Sequence, residues 1–257
     1  MAEAAGVTSP WIRRFHPSAD APVRLACFPH AGGSASFYFP LSQALAPAVD
    51  VITLQYPGRQ DRRHEPGIGD LHELADVLVE ELRPWTDLPL VLFGHSMGAS
   101  LAFEVGRRLE REGTAPAALV ASGRRAPSRH RDEYVHQRDD EGLVRELKEL
   151  SGTEPGVLGD EELLRMILPA IRSDYRAAET YKYRPGSDLS CPVHALVGDR
   201  DPKVTVDEAR SWADHTSGPF ELTVFDGGHF FLAPHAAEVN RILADRARAH
   251  ARSTAGA

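Results

Sequence analysis

Cysteine is scarce: the chain of 257 residues holds two, Cys27 and Cys191. Each lies in or beside an apolar, strand-like segment, so both read as reduced core residues rather than as a disulfide, a catalytic thiol or a metal-binding pair. Long apolar runs are missing too. No stretch approaches the roughly twenty residues needed to span a bilayer, and residues 1–10 carry neither the basic flank nor the apolar segment of a secretory signal. A cytoplasmic chain with no membrane contact is therefore expected. Positive charge is in deficit, with 29 Lys and Arg against 37 Asp and Glu and a formal net charge of −8, which argues against nucleic acid as a partner. Neither a repeat period nor a low-complexity tract is present. What remains is 42% hydrophobic and 26% charged, the balance of an ordinary globular protein. The length suits one domain over residues 1–257, with disorder expected only in tails at about 1–10 and 250–257.

Short apolar segments and helical patterns alternate along most of the chain. Residues 23–28, 49–54, 88–93, 117–121, 192–197 and 220–225 are rich in apolar or β-branched residues and are bounded by Pro or Gly, as buried strands are. Helices are expected at 36–46, 71–83, 99–112, 207–215 and 236–250. In the second of these Leu71, Leu74, Ala75, Leu78 and Leu82 form one stripe that Pro84 closes. This alternation implies an α/β fold, a mostly parallel sheet covered by helices on both faces. Residues 126–183 break the pattern with two helical stretches and no strand, the mark of an inserted helical lid. Asp140 is expected to cap the first and Gly152 to end it. Asp160 is expected to cap the second, with Pro169 kinking or dividing it.

The pentapeptide Gly94-His95-Ser96-Met97-Gly98 stands between a strand and a helix, the setting of a nucleophile elbow. Its glycines permit a sharp reversal that exposes the Ser96 hydroxyl near the positive end of the following helix. Serine is a weak nucleophile at neutral pH and needs a base within hydrogen-bond reach and a third group to orient that base. In this fold the chain order is Ser, then Asp or Glu, then His. Of the twelve histidines, His229 follows a strand and a Gly-Gly turn and is the expected base. His95 is expected to support the turn, and His64, His72, His130, His136, His215, His235 and His250 to be solvated. Between the carboxylates of Asp199 and Asp201 spacing does not choose. Asp201 is favoured because Pro202 fixes the backbone after it, Asp199 reads as a turn residue, and Asp226 is a third candidate. Two amides must meet the oxyanion. Met97 N–H is one, and the glycine-bearing loop 28–34 supplies the other, with Ala31 preferred and Gly32 next. That loop lacks the glycine or lysine spacing of a phosphate cradle.

The segments 28–34 (Phe-Pro-His-Ala-Gly-Gly-Ser), 55–59 (Gln-Tyr-Pro-Gly-Arg), 93–98 continuing to 102–104, 179–183, 198–202 and 227–230 together resemble the type II thioesterases. These are the discrete editing hydrolases that accompany polyketide synthases and non-ribosomal peptide synthetases. The resemblance runs from about residue 24 to 232, and the 28–34 loop followed by Tyr-Pro-Gly-Arg is its more particular part. It implies an α/β-hydrolase fold with a helical lid, a triad of Ser96, Asp201 and His229, and oxyanion donors at Met97 and Ala31. It also implies an acyl thioester on the phosphopantetheine arm of an acyl or peptidyl carrier protein as substrate, with water as final acceptor and no metal or redox cofactor.

A monomer is expected to meet the carrier. Arg124, Arg125, Arg129 and Arg131 form a basic cluster at the entrance to the lid, where Arg124 and Arg125 are candidates for contact with the partner or the arm's phosphate, against the plain reading of a solvated loop. Arg59 is a further candidate, or else a clamp on backbone carbonyls. Three other functions fit the same residues: a small-molecule carboxylesterase or lipase, since a fold does not fix the leaving group; a non-catalytic binding protein, which would ordinarily lack a triad member; and acyl transfer or cyclisation, if a substrate nucleophile rather than water reaches the acyl-serine.

Overall fold

The computed structural model describes residues 9–150 and 160–254, with side chains described as far as 249. Seven strands form one sheet: β1 (Ile12–Arg13), β2 (Arg24–Phe28), β3 (Asp50–Leu54), β4 (Leu90–His95), β5 (Ala118–Ser122), β6 (Val193–Gly198) and β7 (Phe220–Phe225). Their spatial order is β1-β3-β2-β4-β5-β6-β7. All neighbours run parallel except β1, which lies antiparallel to β3 with Ile12 opposite Leu54. The six longer strands fall where the apolar segments place them, every end within two residues of the expected one. β1 was missed, because two residues leave no alternation to see.

Strand geometry sends successive side chains to opposite faces, and the core divides accordingly. Ala26, Phe28, Ile52, Leu54, Leu92, Leu119, Ala121 and Ala195 pack on one side against α2 (Leu71–Leu82) and α3 (Met97–Arg111). Leu25, Cys27, Val51, Val91, Phe93 and Val120 pack on the other against α1 (Phe39–Leu45) and α7 (Ala236–Thr254). Cys27 and Cys191 are free and buried. Burial pushes both thiols up, Cys191 to about 12, so neither provides a thiolate near neutral pH.

The segment expected as a lid carries a 3-10 turn (Val135–Gln137), α4 (Asp140–Leu150) and α5 (Glu161–Thr180). Val135, Leu143, Leu147, Leu168, Ile171 and Tyr175 share a separate apolar cluster. Three details differ from the sequence reading. The cap of α4 is Asp139, whose Oδ1 accepts the Gly142 amide at 2.8 Å, one residue before the expected Asp140. Helix α5 continues through Pro169 without dividing, capped as expected by Asp160, which accepts from Glu162 and Leu163. The stretches at 36–46 and 207–215 are each part 3-10: the first has a 3-10 turn (Ala35–Tyr38) before α1, and α6 (Val206–Arg210) is followed by one at Ser211–His215. Gly152, and the tails apart from 9–10 and 250–254, lie outside the described residues. Among the described residues no helix is long and apolar enough to cross a membrane.

Candidate active site

The elbow stands at the carboxyl end of β4, near the middle of the sheet. Ser96 has φ 55° and ψ −121°, a conformation rarely open to a residue with a Cβ and one that costs about 1–3 kcal/mol. Its amide is held by the Ser122 carbonyl of β5 at 2.8 Å. The two glycines of the pentapeptide answer to close approach rather than to dihedral freedom. A Cβ on Gly94 would come within 2.1 Å of the Gly98 carbonyl oxygen, and one on Gly98 within 2.0 Å of the Phe28 carbonyl oxygen. Only without those carbons does α3 sit tightly enough on β4 and β2 to aim its amino end at the Ser96 hydroxyl.

His229 Nε2 lies 3.0 Å from Ser96 Oγ. Its Nδ1 lies 2.8 Å and 3.0 Å from the two carboxylate oxygens of Asp201, and the Lys203 amide donates to the same carboxylate at 2.8 Å. With the ring proton on Nδ1 shared by Asp201, Nε2 is left as an acceptor for the hydroxyl proton. His229 and Asp201 are both buried. The three loops involved follow β4, β6 and β7, at the end of a parallel sheet where reactive groups collect. The rival carboxylates point elsewhere: Asp199 accepts the Gly227 amide at 2.9 Å and closes a turn, while Asp226 is exposed and pairs with Arg200.

The two amides expected to meet the oxyanion stand in the segments that adjoin Ser96, and Ala31 lines the cavity onto which Ser96 opens. Met97 N–H opens α3, where the first turn has no intrahelical acceptor. Ala31 N–H lies in the loop after β2, and no acceptor engages it among the described residues. The Gly32 amide is already bonded to Asp174 Oδ2 at 2.8 Å, which favours Ala31, the preferred candidate, over Gly32. Around them His30, His95 and Phe230 pack ring on ring with His229. Burial, and then the neighbouring His229, lowers His30 to about 3 and lowers His95 well below its usual value. Two uncharged imidazoles thus surround the one that must accept a proton.

Ser96 and His229 open onto a cavity of about 420 Å³ whose inner wall is apolar, built from Leu147, Ile167, Ile171 and Tyr175 of α4 and α5. Of the expected partner contacts, Arg124 lines this cavity, bonded to Ser100 Oγ and the Ala178 carbonyl; burial and then Arg125 lower it to about 10. Arg125 is a correction, and so is Arg59 as a partner contact, although its other reading, a clamp on a backbone carbonyl, holds at Gly33, where Nη1 donates at 3.2 Å. Arg125 is buried against Glu133 and the Lys203 carbonyl, and Arg59 is buried against Asp174, so neither guanidinium is free to meet a partner. Arg131 is engaged by Glu208; within the expected cluster the exposed residue is Arg129, whose Nε donates to Ser211 Oγ at 2.9 Å.

His215, expected at the surface, is buried. Its Nδ1 is 2.8 Å from Asp188 Oδ2 and its Nε2 is 2.8 Å from Ser128 Oγ, the same three residue types in the same order of contact as at Ser96. The likeness ends at chemistry. His215 Nε2 also receives the Ser128 amide at 3.3 Å, so the ring ties down the loop after β5. Ser128 does not line the 420 Å³ cavity.

A thioesterase domain model matches residues 23–247. The chain belongs to the thioesterase family. The chain is 58% identical over 234 residues to a probable cadicidin biosynthesis thioesterase of Streptomyces griseus, covering 91% of this chain and 65% of that protein, just under two thirds of its length. It is 53% identical over 237 residues to thioesterase PikA5 of Streptomyces venezuelae, covering 91% and 84%. Among solved structures, the type II thioesterase BorB from the borrelidin biosynthetic cluster superposes with a TM-score of 0.85 at 52% identity, over 93% of this chain and 96% of that one. The thioesterase therefore shares the α/β-hydrolase fold of these relatives and is an enzyme that hydrolyses thioesters.

Proposed function

We propose that this thioesterase removes acyl groups from the phosphopantetheine arm of acyl or peptidyl carrier proteins in polyketide or non-ribosomal peptide synthesis, freeing carriers that hold stalled or aberrant chains. The observation that carries the reading is the unbroken relay from Ser96 through His229 to Asp201 at the mouth of an apolar cavity. Solved relatives described as a type II thioesterase from the yersiniabactin NRPS/PKS pathway and as a protein of the colibactin NRPS/PKS pathway support the choice of substrate.

In the proposed reaction Ser96 Oγ attacks the thioester carbonyl as its proton passes to His229 Nε2. Negative charge on the carbonyl oxygen is met by the Met97 and Ala31 amides, and the dipole of α3 favours it. The tetrahedral intermediate then breaks its carbon–sulfur bond. His229 gives its proton to the departing thiolate, and the carrier leaves with a free pantetheine thiol. Water attacks the acyl-serine with His229 again as base, and carboxylic acid is released. Asp201 keeps the proton on Nδ1 and stabilises the imidazolium at both stages. Side chains and water complete the cycle, so no metal or redox cofactor is called for. Arg124, at the cavity wall, stands where it would contact the arm or the entering acyl group.

The test is intact-protein mass spectrometry of a panel of acylated carriers, incubated with wild type or with Ser96→Ala, alongside oxygen esters of the same acids. Wild type restores the carrier thiol on thioesters and Ser96→Ala does not. Preference for the oxygen esters would instead identify a carboxylesterase.

A further inference from the structure

We infer that Asp174 and Arg59 are positioning residues for the oxyanion site, holding the backbone that presents the Ala31 amide and making its placement depend on the seating of α5. The inference rests on the proposed role of Ala31.

Residues 30–33 form a tight turn, in which the Gly33 amide donates to the His30 carbonyl at 2.9 Å and Gly32 has φ +77°, the value of the third residue in a type II turn. The Ala31 N–H shares its rigid peptide plane with that His30 carbonyl. Its direction is therefore fixed by whatever holds Gly32 and Gly33. Glycine is the least constrained residue, and two in succession make a poor mount for a donor that must be aimed in advance. The rest of the chain supplies the constraint. Asp174 Oδ2 accepts the Gly32 amide at 2.8 Å, and Arg59 Nη1 donates to the Gly33 carbonyl at 3.2 Å. Arg59 Nη2 closes the ring with bonds of 2.8 Å and 2.9 Å to the two Asp174 oxygens. A closed circuit thus runs from the turn to α5, to the loop after β3, and back to the turn.

Both charged groups are buried, Asp174 at 2% and Arg59 at 7% exposure. Charge-assisted bonds in such surroundings are short and strongly directional. Burial pushes the Asp174 carboxyl up, while Arg59 and the Gly32 amide pull it down. Ile171, one turn before Asp174 on α5, packs so closely on Gly32 that a Cβ there would lie 2.9 Å from its Cγ1. Ile171 and Tyr175 also line the acyl cavity. One helix therefore touches both the place for the acyl chain and the loop that would stabilise the oxyanion.

The test compares wild type, Asp174→Asn, Asp174→Glu, Arg59→Lys and Ser96→Ala at a temperature where circular dichroism shows every protein folded. It reads kcat and KM on a short acyl-pantetheine, and the affinity of an alkyl boronic acid that forms a tetrahedral adduct on the serine. Misplacing a catalytic group by about an ångström costs about 10²-fold. Asp174→Asn is expected to lose about that factor in kcat and in boronate affinity while KM stays within about threefold. Asp174→Glu, which restores the charge, recovers part of the loss. Arg59→Lys keeps a charge but not the two-pronged grip, and loses less in the same two quantities; it carries the test alone if the Asp174 variants do not fold. Variants with wild-type kcat and boronate affinity and only a lower melting temperature overturn the inference. Turnover by Ser96→Ala would instead overturn the proposed function beneath it.

Discussion

Ser96 owes its reach to two positions where a single methyl group would not fit. Gly98→Ala places a carbon 2.0 Å from the Phe28 carbonyl oxygen, and with backbone on both sides the strain has no flexible side chain to absorb it. We expect a loss of about 3 kcal/mol or more, read as a shift of the urea midpoint, together with lost turnover as α3 moves off β4. At Ser96 itself, Ser96→Ala is expected to reduce carrier hydrolysis by about 10⁴-fold or more without changing the melting curve markedly. Residue identity also limited what the sequence disclosed. The elbow, His229 and the Gly198–Pro202 loop were legible because turn chemistry and chain order single them out. Asp199 and Asp201 were separable only through preference, since both leave the same strand end; the hydrogen bonds to Gly227 and His229 distinguish them. The burial of Arg59 and Arg125 was not legible, because a guanidinium looks like a surface group until its partners, Asp174 and Glu133, arrive from distant segments.

Elements were legible in proportion to their length. The strands that are buried on both faces read as continuous apolar runs, whereas β1, with two residues on the edge, has no pattern of its own. Helix α5 shows where a local rule yields to packing. Pro169 removes a donor and crowds the preceding turn, yet apolar residues on both sides of it, Leu168, Ile171 and Tyr175, are anchored in one cluster, and the helix runs on. Because Pro169 is itself exposed, Pro169→Ala restores the missing bond without disturbing that cluster. A gain of about 1–3 kcal/mol is expected, measurable as a higher melting temperature and slower amide exchange in α5. At the amino end of α5, Asp160→Ala removes the acceptor for the Glu162 and Leu163 amides and should cost about 1 kcal/mol.

Across the whole molecule, the sheet brings four loops to one end. They follow β2, β4, β6 and β7, and together they assemble a site whose residues span from Ala31 to His229. The same assembly buries imidazoles, with a consequence for acid stability. His30 titrates at about 3 in the folded protein against 6.5 in the unfolded chain, so below pH 6.5 the unfolded state binds the extra proton. Stability then falls as pH falls, by about 1.4 kcal/mol per unit from this one group, until about pH 3. His95 shifts in the same direction. A urea midpoint that declines steadily from about pH 6.5 to 4, with a shallower decline in His30→Phe, is the expected result; a flat midpoint would show that these rings are protonated without cost. Fold and family were legible at this scale because alternation and several separated motifs agree. The helix-to-loop circuit through Asp174 was not, since nothing local in residues 161–180 indicates a partner among residues 28–34.

The central claim is that the acyl group passes through Ser96. Its most direct measurement is rapid acid quench of the enzyme with an acylated carrier, followed by peptide mass mapping. The acyl mass is expected on the peptide containing Ser96 and absent from Ser96→Ala. Acyl transfer to Ser128, which shares the contacts with a histidine and an aspartate, or turnover with no acylated serine at all, would contradict it.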